Sequence, residues 1–243
     1  MIEIPHWMSR TNLLLDNHQM QKLINANVLV VGLGGVGGIC AEMIARAGVG
    51  KMTIVDADVV EASNRNRQIP ALISTDNQPK AEVMAQRLRD INPDIDLTVI
   101  NEYIKDERTE EILNEGNFDY AVDCIDTLSP KVFFIQTCLE KGIPLVSSMG
   151  AGGRVDPSKV RISDISASYN CTLARYVRKR LKKFGIRKGL KVVFSSELPD
   201  ANKVILAPEG GPKKSLIGTV SWMPAIFGCT VASVVIRDLY NKA

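Results

Sequence analysis

A chain of 243 residues and 26.6 kDa is the length of one large domain, and with 45% hydrophobic, 23% charged and 5% aromatic residues it buries an aliphatic core, which excludes disorder throughout. Eighteen Gly show no triplet period and five Cys are few and odd in number, which excludes a collagenous or disulfide-stapled scaffold and points to free thiols in a reducing compartment. The formal net charge is only +3, yet nine Lys and Arg with no acid among them fall within residues 175–191, so a basic lobe sits on an acidic body and a polyanion is its natural partner.

In chain order, residues 1–10 carry an early acid and an early Pro and no apolar run, so they are no secretory signal, and the expected location is the cytoplasm. Residues 27–31 form a short apolar run read as a strand. A Gly-rich turn, a helix over 39–47 and a strand over 51–56 follow, which together make a βαβ unit. A helix over 80–92 is punctuated by Pro79 before it and Asn92-Pro93 after it. Strands over 95–100, 119–123 and 144–148 alternate with helices near 109–114 and 130–141, the pattern of an α/β, Rossmann-like, doubly wound and mostly parallel sheet. Beyond residue 154 the expected strands are 160–165, 190–195 and 218–222, extending the same sheet, with a mobile loop over 200–215. The 21 residues 216–236 hold no charge and are long enough to span a bilayer. Their Gly, Thr, Ser and Pro content favours a buried strand plus core helix, so membrane contact is not expected. The whole chain, 1–243, reads as a single domain whose pattern changes between its parts 1–153 and 154–243.

Gly32-Leu33-Gly34-Gly35-Val36-Gly37 is a G-x-G-x-x-G set between a strand and a helix, with Asp56 closing the next strand. Gly32, Gly34, Gly35 and Gly37 let backbone N–H groups approach phosphates at a helix N-terminus, and the Asp56 carboxylate accepts from ribose hydroxyls. The fingerprint alone leaves NAD and ATP open. The segment Asn64-Arg65-Asn66-Arg67-Gln68 and then Lys80 favours a triphosphate, because Arg67 and Lys80 are fixed donors for the charge that builds on a departing pyrophosphate. In Asp123-Cys124-Ile125-Asp126, at a strand's C-terminal end, one carboxylate is placed to hold Mg²⁺ against the phosphates, and Asp123 reads better as a helix N-cap. Arg175, Arg178, Lys179, Arg180, Lys182 and Lys183 are the expected nucleic-acid contacts, against the alternative of a solvated helix face.

Taken together, the Gly-rich turn, Asp56-Ala57-Asp58, Ser63-Asn64-Arg65-Asn66-Arg67-Gln68, Gln78-Pro79-Lys80, Ile91-Asn92-Pro93 and Asp123-Cys124-Ile125-Asp126 resemble the E1-like activating enzymes, the superfamily of ubiquitin-activating and sulfur-carrier adenylyltransferases. Ser147-Ser148-Met149-Gly150-Ala151-Gly152-Gly153-Arg154-Val155-Asp156-Pro157, the basic stretch and the closing apolar segment resemble its tRNA threonylcarbamoyladenosine dehydratase branch. The resemblance implies ATP-dependent activation of the carboxylate of N6-threonylcarbamoyladenosine in tRNA, then ring closure with loss of water through an acyl-adenylate. It implies Asp56 on the ribose, Arg67 and Lys80 on the phosphates, Mg²⁺ on Asp126, and Asn64 and Lys131 as additional phosphate contacts. It also implies a homodimer in which Arg10 reaches the neighbouring subunit's ATP site, and it leaves room for a cysteine-desulfurase sulfur-relay partner.

Two departures accompany it. The paired Cys-x-x-Cys motifs of sulfur-carrier activating enzymes are absent among Cys40, Cys124, Cys138, Cys171 and Cys229, so no zinc is expected, and Cys171 is the one candidate for a thioester-forming thiol. Asn170-Cys171 stands where the dehydratase branch tends to carry Asp-Pro. Activation of a ubiquitin-like or sulfur-carrier protein's C-terminus is the alternative function, and a non-catalytic NAD-binding regulator the third.

Overall fold

The computed structural model describes residues 4–199, 204–206 and 215–242. Seven strands make its central sheet: β1 (Asn27–Val31), β2 (Lys51–Val55), β3 (Asp96–Ile100), β4 (Tyr120–Asp123), β5 (Leu145–Ser148), β6 (Val160–Asp164) and β7 (Lys191–Ser195). They lie in the order β3-β2-β1-β4-β5-β7-β6, parallel except for β6, which runs antiparallel to β7 at the edge. In β1, Val28 and Val30 face one apolar cluster and Leu29 and Val31 the other, which is why the strand is a continuous apolar run rather than an alternation.

Among the described residues eight α-helices surround the sheet: α1 (Ser9–Asn12), α2 (Asn17–Asn25), α3 (Gly37–Arg46), α4 (Lys80–Ile91), α5 (Asp106–Glu115), α6 (Leu128–Glu140), α7 (Thr172–Leu181) and α8 (Trp222–Tyr240). Helices α3, α4 and α8 cover one face, and α5, α6 and α7 the other. Helix α2 is not among the elements expected from the sequence, although Met20 and Leu23, at helical spacing, form its buried side. It is started by a capping box, in which the Asp16 carboxylate accepts from the Gln19 amide and the Gln19 side chain accepts from the Asp16 amide.

The C-terminal third departs from the sequence expectation in one element. Residues 218–222 are not a strand: 218–220 lack regular structure and α8 begins at Trp222, with Pro224 in its first turn where a missing N–H costs nothing. The extension of the main sheet therefore consists of β6 and β7 alone. Most of the expected loop 200–215 lies outside the described residues, and within it Val204–Leu206 pairs antiparallel with Ser215–Ile217. By length and a mean hydropathy of 1.3, α8 is the one described helix able to cross a membrane, but Met223, Phe227, Val231, Val234 and Val235 are buried against α3 and the sheet, as in a core helix.

Candidate active site

The chain runs from β1 outward to β2 and β3, then returns to place β4 on the other side of β1. That reversal opens a crevice at the strands' C-terminal ends, the usual ligand position in such sheets. There lies a cavity of about 930 Å³, reached by the Gly-rich turn, Asp56, Arg67, Lys80, Asp126 and the loop after β5. Its size suits a nucleotide together with the end of a second substrate.

The cradle is built by the absence of side chains. Gly32 has φ +89°, a left-handed conformation, and a Cβ on Gly37 would sit 1.6 Å from the Gly32 carbonyl oxygen. Gly34 is different: a Cβ there would meet nothing nearer than the Gln68 side chain at 3.7 Å, so the space beside it is open. Asp56 is fixed at the end of β2, where its carboxylate accepts from the amides of Leu33 at 2.6 Å and Asp58 at 2.8 Å. Burial raises its pKa above the ordinary carboxylate value, although both amides and the Lys80 charge pull it down.

Lys80 opens α4 and is 4% exposed; its ammonium is 2.8 Å from the carboxylate of Asp58, which stays open to solvent. The cation is thus presented to the cavity already aligned. Arg67 is held by the Ser63 carbonyl at 2.9 Å and the Asn66 side-chain oxygen at 2.7 Å, while Asn66 donates to the Thr219 carbonyl at 3.0 Å and ties this segment to the entry of α8. Asn64 is buried and accepts from the Glu61 amide. Gln68 is also buried at the cavity wall, and its Oε1 has no hydrogen-bond partner among the described residues.

Two sequence expectations are corrected here. Asp123 is not an N-cap, since α6 starts only at Leu128 behind Thr127. Instead its fully buried carboxylate accepts from the Ile125 amide and the Ser147 hydroxyl and lies 2.8 Å from the Lys131 ammonium. Burial raises the Asp123 carboxyl, and Lys131 opposes that rise. Lys131 in turn donates to the Ile125 carbonyl at 2.9 Å and is 0% exposed, so it lies beneath the cavity rather than on phosphate. Asp126 is exposed and lines the cavity. A single carboxylate beside phosphate oxygens suits Mg²⁺, which keeps several waters and needs no all-protein cage.

The far wall is the loop after β5, residues 149–152, with Leu173 of α7. Cys171 caps α7 and is only 6% exposed, so it offers no open thiol. Helix α7 buries Ala174, Val177 and Leu181 and turns Arg175, Lys179 and Arg180 outward, and Lys182 and Lys183 continue that exposed face. Arg178 is set apart from them: its guanidinium donates to the Ser168 carbonyl at 2.9 Å and to the Ser168 hydroxyl. Arg180 donates to the Ser129 hydroxyl at 2.8 Å. Arg10 is exposed on α1 and does not line this chain's cavity.

The family model described as "ThiF family" matches residues 8–243. The tRNA threonylcarbamoyladenosine dehydratase of Bacillus subtilis is 37% identical over 241 residues, covering 96% of this chain and 94% of that protein. The crystal structure of the Escherichia coli tRNA N6-threonylcarbamoyladenosine dehydratase in complex with ATP superposes with a TM-score of 0.89 at 33% identity, covering 100% of this chain and 98% of that one. The sulfur carrier protein ThiS adenylyltransferase of Escherichia coli is 35% identical, but over only 56% of this chain.

Proposed function

The chain belongs to the ThiF family, and from that premise we propose that it is an ATP-dependent enzyme of the E1-like adenylating class that dehydrates N6-threonylcarbamoyladenosine in tRNA to its cyclic form. The observation that carries the reading is one cavity that combines a glycine-lined cradle, an aligned buried lysine and a separate far wall for a second substrate. Likeness to the Bacillus subtilis dehydratase covers 96% of this chain, whereas the likeness to the sulfur-carrier adenylyltransferase covers 56%, and this favours the dehydratase over carrier-protein activation.

A carboxylate is a poor electrophile, so the substrate's carboxylate first attacks the α-phosphorus of ATP and pyrophosphate departs. The carbamoyl group of the same molecule then attacks the acyl carbonyl, AMP leaves, and the net change is loss of water without an enzyme nucleophile. In this scheme Gly34 and Gly35 lend amides to the phosphates, Asp56 holds the ribose, and Lys80, Arg67 and Asn64 stabilise the departing pyrophosphate. Mg²⁺ on Asp126 would supply further charge neutralisation.

The outward cations of α7 and the following turn, Arg175, Lys179, Lys182 and Lys183, hold the tRNA backbone, with Arg180 beside them. Arg10 acts on the ATP site of a second copy, a role supported by its exposure away from its own cavity. The protein works in the cytoplasm. Exchange of labelled pyrophosphate into ATP tests the reading: stimulation by modified tRNA supports it, and stimulation only by a carrier protein with a free C-terminal carboxylate replaces it with the alternative.

A further inference from the structure

Arg154 is 4% exposed, yet among the described residues no carboxylate pairs with it. Its Nη1 donates to the carbonyls of Gly150 and Gly152, each at 2.8 Å, and its Nη2 to the Asn170 carbonyl, also at 2.8 Å. Its Nε is buried without a partner. A buried guanidinium spent on three neutral carbonyls leaves an uncompensated positive charge directly behind the cavity's far wall.

The peptide planes convert those bonds into a direction. In a trans peptide the carbonyl oxygen of one residue and the N–H of the next point opposite ways, and the described chain holds no cis bond. With the Gly152 carbonyl turned to Arg154, the Gly153 amide faces away and donates to the Gly218 carbonyl at 2.8 Å. With the Gly150 carbonyl turned the same way, the Ala151 amide also faces away from Arg154. It meets no protein acceptor among the described residues, and neither do the amides of Gly150 and Gly152; all three residues line the cavity. Asn170 holds its end of the clasp in a left-handed conformation, φ +51°, with its side-chain amide on the Ser196 carbonyl at 2.8 Å.

We propose that Arg154 is a positioning residue for the acyl half of the reaction: by drawing in the carbonyls of Gly150 and Gly152 it aims the Ala151 amide, backed by its own charge, at the substrate carboxylate that is to be adenylated. This rests on the adenylation reading above. Uncharged N–H donors fixed in place suit an oxygen whose charge changes along the reaction, and a guanidinium behind them strengthens their pull without pairing the carboxylate into inertness.

The test uses the full-length protein with Arg154→Gln, Arg154→Lys and a chain in which Ala151 is replaced by lactic acid, so that an ester oxygen stands in place of the amide N–H. The wild type must first show tRNA-dependent pyrophosphate exchange; without it the adenylation reading fails, and the assignment of Arg154, which rests on that reading, falls with it. Given that activity, Arg154→Gln is expected to lower single-turnover adenylation at least about tenfold while the Kd for ATP, by calorimetry, stays within about twofold of wild type, with partial recovery in Arg154→Lys. The lactic acid variant, which keeps the Gly152 and Asn170 carbonyls on Arg154 and turns only the Gly150 carbonyl into a weaker, ester acceptor, is expected to show the same split. Wild-type adenylation in the Gln or lactic acid variant overturns the proposal, and so does a parallel loss of ATP affinity in both, which would make the clasp a support of the whole cavity.

Discussion

Replacing Lys131 by Met is the perturbation that most sharply separates support of the site from contact with the nucleotide. Lys131 and Asp123 are both 0% exposed and 2.8 Å apart, so removing the ammonium leaves a carboxylate with no opposite charge inside the fold. Breaking a buried pair from one side costs about 3–5 kcal/mol. For a chain of this length that is a fall in Tm of roughly 6–20 °C. The deficit has a pH signature. Burial already holds the Asp123 carboxyl above its ordinary value, and loss of Lys131 removes a group that opposes the rise, so the carboxyl moves further up. An acid whose folded-state pKa is raised favours folding while protonated and loses that contribution as pH climbs through the raised value; the deficit of the variant therefore shrinks as pH is lowered from neutral toward the ordinary carboxylate range. Adding Asp123→Leu to Lys131→Met is expected to recover most of the loss, because the stranded charge is then gone. Calorimetric melting across that range, alongside ATP titration of the folded variant, is the assay. An unchanged Tm with weakened ATP binding would refute the reasoning and return Lys131 to the phosphates.

Lys80→Ala should lower tRNA-dependent pyrophosphate exchange at least about a hundredfold, the scale of losing one preorganised donor, and near-normal turnover would remove it from the site. Gly37→Ala cannot keep its backbone, with a Cβ 1.6 Å from the Gly32 carbonyl oxygen, and is expected to melt earlier and to lose ATP binding. Gly34→Ala has room in the fold, so its Tm should hold while its ATP affinity falls; unaltered affinity would mean that the phosphates do not approach Gly34. Replacing Lys179 and Lys183 together should flatten the salt dependence of tRNA binding by about 0.7–0.9 per lost phosphate contact, read from filter binding over a salt series. Arg178→Ala should instead act mainly on Tm, since its guanidinium is bonded to Ser168.

What could be read from the sequence followed from local pattern. The strand 27–31 and its Gly-rich turn carry their meaning in consecutive residues, and so did α4 with Pro79 before it. What could not be read depended on partners distant along the chain. Residues 218–222 resemble a strand because Val220 and Trp222 are apolar, but α8 starts at Trp222, whose indole N–H donates to the Val155 carbonyl at 2.9 Å, and no local pattern records that bond. Lys131 was given as a phosphate contact by resemblance alone; only the fold shows that Asp123 ends β4 directly against it. Asp58, the partner that aligns Lys80, stood in the quoted motif without a role, since the two are 22 positions apart. Arg154 was only one letter of a resemblance until its three carbonyls were visible.

The seam between α8 and the glycine turn bears on how much of the chain the cradle needs. A Cβ on Gly228 would lie 2.5 Å from the Val36 carbonyl oxygen, and one on Gly35 would lie 2.9 Å from Cβ of Pro224, so the turn rests directly on the last helix. The first two hundred residues hold every phosphate-cradling residue but lack the helix on which Gly35 and Val36 rest. A chain cut before Trp222 is therefore expected to bind ATP weakly although its cradle is complete in sequence, a loss that calorimetry on the truncated chain would read.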